Sequence, residues 1–211
     1  MIIDRAGLPS VVLAAGPAVV SAAWGAPVAA AALAVLPILV AAFFRDPDRT
    51  IPPGSALVLA PADGTVQFAG DAPADQAPPG RWRQVTIFLS LLDVHINRTP
   101  VAGRVSRVDY VPGRFLPAYR PDAAANEHSE IWIDAAGTTV VARQVVGVLA
   151  RRVVCRVRPG EALAAGARIG LMKFGSRMDV FVPPSAVLAV SRGDHVRAGE
   201  TVIARLAGGD A

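Results

Sequence analysis

The sequence predicts a mainly β, sandwich- or barrel-like domain preceded by an N-terminal α-helical membrane hairpin. Two observations carry this prediction: a long uncharged segment near the N-terminus, and short apolar runs separated by Gly, Pro and Asp-Gly over the rest of the chain. The 211 residues are 53% hydrophobic and 18% charged, with a mean hydropathy of +0.42. This composition excludes intrinsic disorder and indicates contact with lipid.

The N-terminal segment contains 39 consecutive residues without a charged side chain, between Arg5 and Arg45. One helical crossing of a bilayer needs about 20 residues, so the segment has room for two. A Gly-Ala-Pro sequence at 25–27 interrupts it and predicts helices over about 8–24 and 28–44.

The way in which this hairpin meets the membrane is left open by its length. Helices of about 17 residues are short for a crossing, so entry into one leaflet is an alternative to spanning. Pro37 is expected to kink the second helix.

A cleaved signal peptide is disfavoured because the apolar run is much longer than an h-region of about 7–15 residues. Arg5, Arg45 and Arg49 flank the hairpin, and the positive-inside rule places both ends and the remaining chain at the cytoplasmic face of the cell membrane.

The chain after Asp46 has the pattern of short β-strands. Their spacing is typical of a sandwich or barrel. The candidate strands are 56–60, 65–68, 84–92, 101–111, 131–133, 138–146, 152–157 and 180–182. The segment 70–80, rich in Pro and Asp, is expected to be a surface loop. We therefore expect a helical hairpin over 1–45 and a β domain over 46–211.

Two segments, 160–169 and 193–202, form a weak internal repeat. Both have the pattern Gly-acid-x-apolar-x-Ala-Gly-x-x-apolar. Each pair of glycines permits positive φ on either side of a short strand. Such turns resemble those of lipoyl/biotinyl-type β-sandwiches, and the Pro-Ala-Asp-Gly sequence at 61–64 is of the same kind. Two similar hairpin turns in one β domain also explain the pattern.

Several function classes lack their characteristic residues in this chain. His95, His128 and His195 are widely separated, and without an HExxH or paired-Cys spacing no metal site is predicted. Lys and Arg exceed Asp and Glu by 21 to 17, but no dense basic run alternates with aromatic residues, so no nucleic-acid partner is expected. Ser176 lacks the second glycine of a G-x-S-x-G elbow. A pyridoxal enzyme needs a lysine, and Lys173 is the only one in the chain.

Two motifs carry reactive side chains. A Gly175-Ser176 pair lies between two apolar, strand-like pieces, and His95 follows a β run, where a positioned base is useful. A Gly-Ser pair is a common turn, and a histidine at a strand end is more often structural. Neither motif assigns a function by itself.

Five separated motifs together resemble phosphatidylserine decarboxylase, in its short, archaeal-type form. They are Phe44-Arg45-Asp46-Pro47-x-Arg49, Pro61-x-Asp63-Gly64, Asp93-Val94-His95-x-Asn97-Arg98-x-Pro100, the stretch from Pro112-Gly113-x-Phe115 to Asn126-Glu127, and Phe174-Gly175-Ser176. The resemblance extends from the hairpin to about Val182, which is most of the chain.

The resemblance implies a proenzyme that cleaves itself between Gly175 and Ser176. The Ser176 hydroxyl would attack the Gly175 carbonyl to form an ester, and β-elimination followed by hydrolysis would leave a pyruvoyl group, formed from Ser176, with loss of ammonia. The products would be residues 1–175, carrying the hairpin, and residues 176–211, which remain associated. The pyruvoyl ketone would condense with the serine amine of the phospholipid substrate and accept the electron pair released as CO₂ leaves, giving phosphatidylethanolamine.

The resemblance also implies an acid–base pair, Asp63 and His95, beside the nucleophile Ser176. Longer family members resemble Asp-Tyr-His-Arg-x-His-x-Pro, and Arg98 occupies the place of the second histidine. Arginine does not act as a base at neutral pH. Either His95 serves both self-cleavage and decarboxylation, or cleavage uses another base. On the residues alone, Asp63 is also explained as a turn aspartate.

Asn126 and Glu127 are candidate contacts to the substrate head group, and a solvated loop explains them equally well. A competing interpretation is a membrane-anchored lipoyl/biotinyl-like carrier or adaptor, in which Lys173 would be modified. The sequence shows no long helical coiled-coil segment, and Phe174 directly follows Lys173. Both observations disfavour the carrier.

Overall fold

The computed structural model describes residues 2–135, 137–148, 153–173 and 176–207. It divides the chain into two compact units, Met1–Asp48 and Arg49–Ala211. With 39% strand and 20% helix, the mainly β prediction is confirmed.

The first unit is a helical hairpin whose two ends meet. Its helices are α1 (Leu8–Ala23), α2 (Pro27–Leu33) and α3 (Val35–Phe43). Strands β1 (Ile2–Ile3) and β2 (Arg45–Asp46) pair in antiparallel fashion, and the Asp4 N–H donates to the Phe44 carbonyl at 2.9 Å. Among the described residues, one helical segment, Arg5–Ala23, is long and apolar enough to cross a membrane, with a mean hydropathy of 1.6.

The predicted second helix is divided in two at Ala34. Pro37 has no N–H, and its ring clashes with the carbonyl four residues earlier, that of Leu33. α2 ends at Leu33. The expected kink at Pro37 is therefore an interruption one turn before the proline.

The second unit is built from strands, fourteen of them within the described residues. They are β3 (Leu57–Leu59), β4 (Gly64–Asp71), β5 (Arg83–Leu89), β6 (Ile96–Arg98), β7 (Gly103–Val111), β8 (His128–Ala135), β9 (Thr138–Val145), β10 (Val153–Cys155), β11 (Ala162–Leu163), β12 (Arg168–Met172), β13 (Ser176–Val182), β14 (Val187–Leu188), β15 (His195–Val196) and β16 (Val202–Arg205).

These strands form one large curled sheet and two small sheets. The large sheet has the order β11-β7-β8-β9-β13-β5-β4-β15, and the small ones have the orders β10-β12-β6 and β14-β16-β3. The large sheet curls into a half-barrel. Side chains alternate across a strand, so the face that carries Val85, Ile87 and Leu89 of β5 is here called the inner face. The face that carries Gln84, Thr86 and Phe88 is the outer face. The main hydrophobic core includes Ile87, Ile131, Val180 and other aliphatic residues of the inner face.

Every predicted strand overlaps an observed one, but several bounds differ. The run 84–92 ends as a strand at Leu89, because a turn closed by Ser90 and Asp93 follows. The run 180–182 begins earlier, at Ser176. Strand β4 continues to Asp71, into the segment predicted as a loop. The first residue of the predicted strand 152–157 lies outside the described residues.

The predicted glycine turns of the repeat are present. Gly160, Gly166, Gly193 and Gly199 have φ of 89°, 71°, 98° and 76°, and the short strands β11 and β15 lie between them. The side chain of Ile51 fills the space that a Cβ on Gly166 or Gly199 would need. The likeness of these turns to lipoyl/biotinyl domains stays a prediction.

Candidate active site

Ser176 is the first residue of β13, a strand that pairs with β5 on one side and β9 on the other. It lies opposite Leu89 of β5. Its side chain is fully buried, and among the described residues its Oγ has no hydrogen-bond partner. Leu89 and Met178 belong to a small apolar cluster of the inner face. The other half of the predicted cleavage site, Gly175, lies outside the described residues.

His95 lies in the connection between β5 and β6 and is 1% exposed. Its Nδ1 is 2.9 Å from the Asp93 carbonyl oxygen. A carbonyl only accepts hydrogen bonds, so Nδ1 carries the proton of the neutral ring and Nε2 carries the lone pair. The His95 carbonyl accepts from the Met172 N–H at 3.2 Å. The His95 loop is thereby attached to the end of β12, from which the chain leads to Ser176.

Asp63 lies in the turn between β3 and β4 as an ion-paired carboxylate. Arg49 Nη2 is 2.9 Å from Oδ1 and 2.7 Å from Oδ2, and the Ala198 N–H donates to Oδ1 at 2.8 Å. The turn packs closely against β5 at Gly64, where a Cβ would collide with the Phe88 carbonyl. Gly64 also has a φ of 151°, which favours glycine. Sequence reasoning did not identify Arg49 as the partner of Asp63, although the quoted N-terminal motif contains it.

Arg98, which stands where longer relatives were expected to have a second histidine, connects two turns. Its Nη1 donates to the Gly166 carbonyl at 2.9 Å, and its N–H donates to the Pro61 carbonyl at 2.8 Å. The residue is 6% exposed. Arg98 therefore has a structural use: its backbone N–H binds the Asp63 turn, and its guanidinium binds the glycine repeat.

Two buried amides form a pair between the inner face of the large sheet, at Gln144 of β9, and strand β6 of a small sheet, at Asn97. Gln144 Nε2 donates to Asn97 Oδ1 at 2.8 Å, and both side chains are fully buried. Among the described residues, Asn97 Nδ2 and Gln144 Oε1 have no partner. Gln144 lies opposite Met178, two residues along β13 from Ser176. Sequence reasoning missed Gln144; the available signal was a glutamine within the apolar run 138–146.

Asn126 holds the loop between β7 and β8 through its side chain. Its Nδ2 donates to the Leu116 and Val146 carbonyls, each at 2.8 Å, and its Oδ1 accepts from the Leu116 N–H at 2.9 Å. Both amide hydrogens are thus occupied by backbone. Glu127 is half-buried. Its backbone bonds to Arg114 and Val146.

The outer face behind Ser176 carries buried ion pairs. Arg177 donates to Asp179 through Nε at 2.7 Å and Nη2 at 2.9 Å, and Thr86 Oγ1 donates to the same carboxylate at 2.8 Å. On the neighbouring strands, Arg143 donates to Glu130 Oε1 through Nε at 2.9 Å and Nη2 at 2.6 Å. These four charged side chains are almost fully buried.

His128 lies beside the second of these pairs. Its Nδ1 is 2.7 Å from the Asn126 carbonyl oxygen, and its Nε2 is 3.7 Å from Glu130 Oε1. Burial lowers the pKa of His128 below its ordinary value of 6.5, and the Arg143 charge lowers it further, against the hydrogen bond to Asn126 and the Glu130 charge. Within the described residues, no group of three or more His, Cys, Asp or Glu side chains is arranged to hold a metal ion.

Comparisons with known proteins identify the family. A family model described as phosphatidylserine decarboxylase matches residues 36–204. A phosphatidylserine decarboxylase proenzyme of Solibacter usitatus is 46% identical over 164 residues, covering 77% of this chain and 76% of the relative. Proenzymes of the same name from Erythrobacter litoralis and Symbiobacterium thermophilum are 44% and 45% identical, covering 82% and 83% of this chain and 76% and 83% of the relatives.

These matches define an enzyme of the carboxy-lyase class. The chain belongs to the phosphatidylserine decarboxylase family. Because the chain belongs to this family, the carrier interpretation is wrong. The motifs around Asp63, His95 and Ser176 are then parts of one family pattern.

Proposed function

We propose that this chain decarboxylates phosphatidylserine to phosphatidylethanolamine and CO₂, after cutting itself between Gly175 and Ser176. One observation carries the self-cleavage: Ser176 begins the strand between β5 and β9, with a buried hydroxyl that has no hydrogen-bond partner among the described residues. A structural serine in such a place normally satisfies its hydroxyl. The relatives named above are called proenzymes, which supports processing.

In self-cleavage, the Ser176 hydroxyl loses its proton and attacks the Gly175 carbonyl carbon, converting the amide to an ester with a free amine on residue 176. A base then removes the α-hydrogen of residue 176, and the carboxylate of Gly175 leaves. Water hydrolyses the resulting dehydroalanine to a pyruvoyl group and ammonia. We assign the base to His95, since the bond from Nδ1 to the Asp93 carbonyl leaves the lone pair on Nε2.

The surroundings of residue 176 fit a pyruvoyl group. The position is buried, and the nearby inner-face groups Leu89, Met178 and Gln144 are uncharged. When present, pyruvoyl supplies an electron-withdrawing carbonyl that accepts the electron pair released as CO₂ leaves. His95 holds and returns the proton that the product carbon requires. Asp63 is proposed as the acidic member of the pair with His95; the contacts of its carboxylate among the described residues are to Arg49 and to the Ala198 N–H, so we propose that it acts on the site through its charge.

The fragments 1–175 and 176–211 are proposed to stay together after cleavage. The smaller fragment contributes β13, β14, β15 and β16. All seven residues of β13 remain paired with β5, because the cut precedes Ser176. We further propose that the hairpin of residues 1–45 attaches the catalytic domain, 46–211, to the cytoplasmic face of the membrane. The apolar helical segment Arg5–Ala23 supports the attachment.

Ser176→Ala tests this proposal. The wild-type chain is expected to give two fragments on a denaturing gel, the smaller with the mass of residues 176–211 and a blocked, amine-free N-terminus. Ser176→Ala should run as one chain and release no CO₂ from phosphatidylserine. Ser129→Ala is the matched control, because Ser129 is also a buried serine, located opposite Gln144 on β8. A continuous wild-type chain with full activity would refute the proposal.

A further inference from the structure

We propose that the second unit docks directly on a phospholipid bilayer through the Leu91–Leu92 turn. This contact is additional to the N-terminal hairpin. The surface belongs to what we call the catalytic edge, the edge of the large sheet at which β5 ends with Leu89 and β13 begins with Ser176. The inference rests on the phospholipid substrate of the proposed function.

Exposed apolar side chains of the second unit are concentrated at this edge. Antiparallel register places the ends of β5, β7 and β9 and the starts of β8 and β13 here. Among the described residues of this unit, the large exposed hydrophobic side chains at these strand ends and in their loops are Leu91, Leu92, Tyr110, Val111, Phe115, Tyr119 and Val148. Elsewhere in the described unit they are Phe68 and Val187. A concentration of exposed apolar side chains at one edge points to an interaction site.

The most exposed of these side chains are presented by a closed turn. The Asp93 N–H donates to the Ser90 carbonyl at 3.1 Å. Asp93 Oδ2 accepts from the Ser90 N–H at 2.8 Å and from Ser90 Oγ at 2.6 Å. Leu91 and Leu92 therefore occupy the two central turn positions, where polar residues and glycine are usual. They are 53% and 84% exposed. The turn is closed by Ser90 and Asp93, and it presents the side chains of both leucines to solvent.

The chemistry of the edge favours a bilayer surface as the occupant. The turn connects Leu89, which lies opposite Ser176, with His95, so it adjoins the groups that must reach a lipid head group. Tyr110 and Tyr119 are suited to the membrane interface. Arg114 is exposed next to Phe115 and complements an anionic lipid surface. The two leucines would enter the boundary between head groups and acyl chains, as the apolar side chains of interfacial proteins do.

A comparison of two physical forms of the substrate tests this inference. The full-length Leu91→Ser/Leu92→Ser variant is assayed on vesicles of phosphatidylserine and phosphatidylcholine, and on dihexanoyl phosphatidylserine below its critical micelle concentration. We expect kcat/KM on vesicles to fall about ten-fold or more, and kcat/KM on the monomeric lipid to stay within about two-fold of wild type. Val187→Ser is the matched control. Val187 is 65% exposed and follows the opposite end of β13, and its replacement should change neither value.

Three outcomes would overturn the inference. An equal loss of kcat/KM on both substrates would mean that the turn shapes the active site. An unchanged kcat/KM on both substrates would show that the turn does not contact the membrane. A lower oligomer mass by light scattering, with unchanged vesicle activity, would assign the turn to a second copy of the chain. Leu92→Ser alone, at the more exposed position, gives the same test should the double variant fold poorly. Fragment masses are measured in parallel, so that failure of self-cleavage is recognised separately from failure of docking.

Discussion

The two faces of the large sheet carry different kinds of buried polar group. On the outer face, Arg177 is paired with Asp179 and Arg143 with Glu130, each through two hydrogen bonds. On the inner face near Ser176, the polar groups are an uncharged hydroxyl and the amides of Asn97 and Gln144. The faces are separated by the thickness of one strand, since Ser176 and Arg177 are neighbours in β13.

This difference indicates that the paired charges of the outer face stabilise the fold, whereas the uncharged groups near Ser176 serve the reaction. Buried charges are tolerated on the outer face because each is neutralised by a close partner. Near Ser176, the neutral side chains of Ser176, Asn97 and Gln144 each have a buried atom without a partner among the described residues. The unpartnered atoms of the outer face, Gln84 Oε1 and Trp132 Nε1, lie farther along the sheet. Buried polar groups of a scaffold are normally satisfied. Substitutions of Ser176, Asn97 or Gln144 should therefore affect turnover, and substitutions of the outer-face ion pairs should affect the free energy of unfolding.

The largest effect is expected from His95→Ala, in the connection between β5 and β6. Loss of the proposed base should slow self-cleavage, decarboxylation or both by about 10²-fold or more, with little change in Tm. Gel densitometry of fragment formation and CO₂ release from the processed enzyme measure the two reactions separately. His195→Ala is the control, because the side chain of His195 is 62% exposed and has no role in the proposed mechanism. Full turnover in the His95 variant would contradict the assignment.

Asp179→Asn on the outer face is expected to have the opposite signature. It leaves the Arg177 guanidinium buried without its carboxylate, which should cost about 3–5 kcal/mol of unfolding free energy. The activity of each folded, processed molecule should be nearly unchanged. Chemical denaturation and specific activity are the measurements.

Asp109→Asn is the control for the Asp179 substitution. Asp109 pairs with Arg107 at 2.6 Å, but both side chains are at least one-third exposed. The expected effect of removing this charge is below about 1 kcal/mol. An Asp179 variant with wild-type stability and poor turnover would show that the outer ion pair serves the chemistry.

Gln144→Leu tests whether the amide pair positions the site. The substitution leaves Asn97 buried without its hydrogen bond, which should cost about 1–3 kcal/mol. If the pair holds β6, and with it the His95 loop, kcat should fall more than KM rises, and Gln144→Asn should restore part of kcat. A stability loss with unchanged kcat would assign the pair to the scaffold alone.

The smallest effect concerns pH. The pKa of His128 is lowered in the folded protein, mainly by burial, so below about pH 6.5 the unfolded chain binds a proton more readily than the folded chain. The stability from this histidine is therefore present above pH 6.5 and decreases as the pH falls below it. Between pH 7.5 and 5.5, the Tm of wild type should fall more than that of His128→Gln. Parallel curves would contradict the prediction.

The broad fold could be predicted from the sequence because hydrophobic periodicity and the Gly and Pro residues that end helices and strands are local features of the chain. The helix pair, the strand pattern and the four positive-φ glycines of the repeat all follow from spacing. Strands β6, β14 and β16 were not predicted, because short segments gain their pairing from partners distant in the chain. The end of β5 at Leu89 depends on the Ser90–Asp93 turn, whose leucines continue the apolar pattern.

For the site, motifs indicated the reactive residues but not their partners. Ser176, His95 and Asp63 could be named from types and order, with the family resemblance. The pairing of Asp63 with Arg49 and of Asn97 with Gln144 joins residues 14 and 47 positions apart. Only the fold brings such pairs together, and a single sequence carries no signal of the contact.

The position of β13 also sets when the enzyme can become active. This strand lies between β5 and β9 in the sheet, yet it follows both of them in the chain. A ribosome releases the chain from its N-terminus, so the gap between these two strands is filled only after both have been synthesised. Under the proposed mechanism, an incomplete polypeptide cannot generate its own ketone. A polypeptide that terminates before this strand would therefore carry no pyruvoyl group and would not expose a reactive carbonyl to other molecules of the cell.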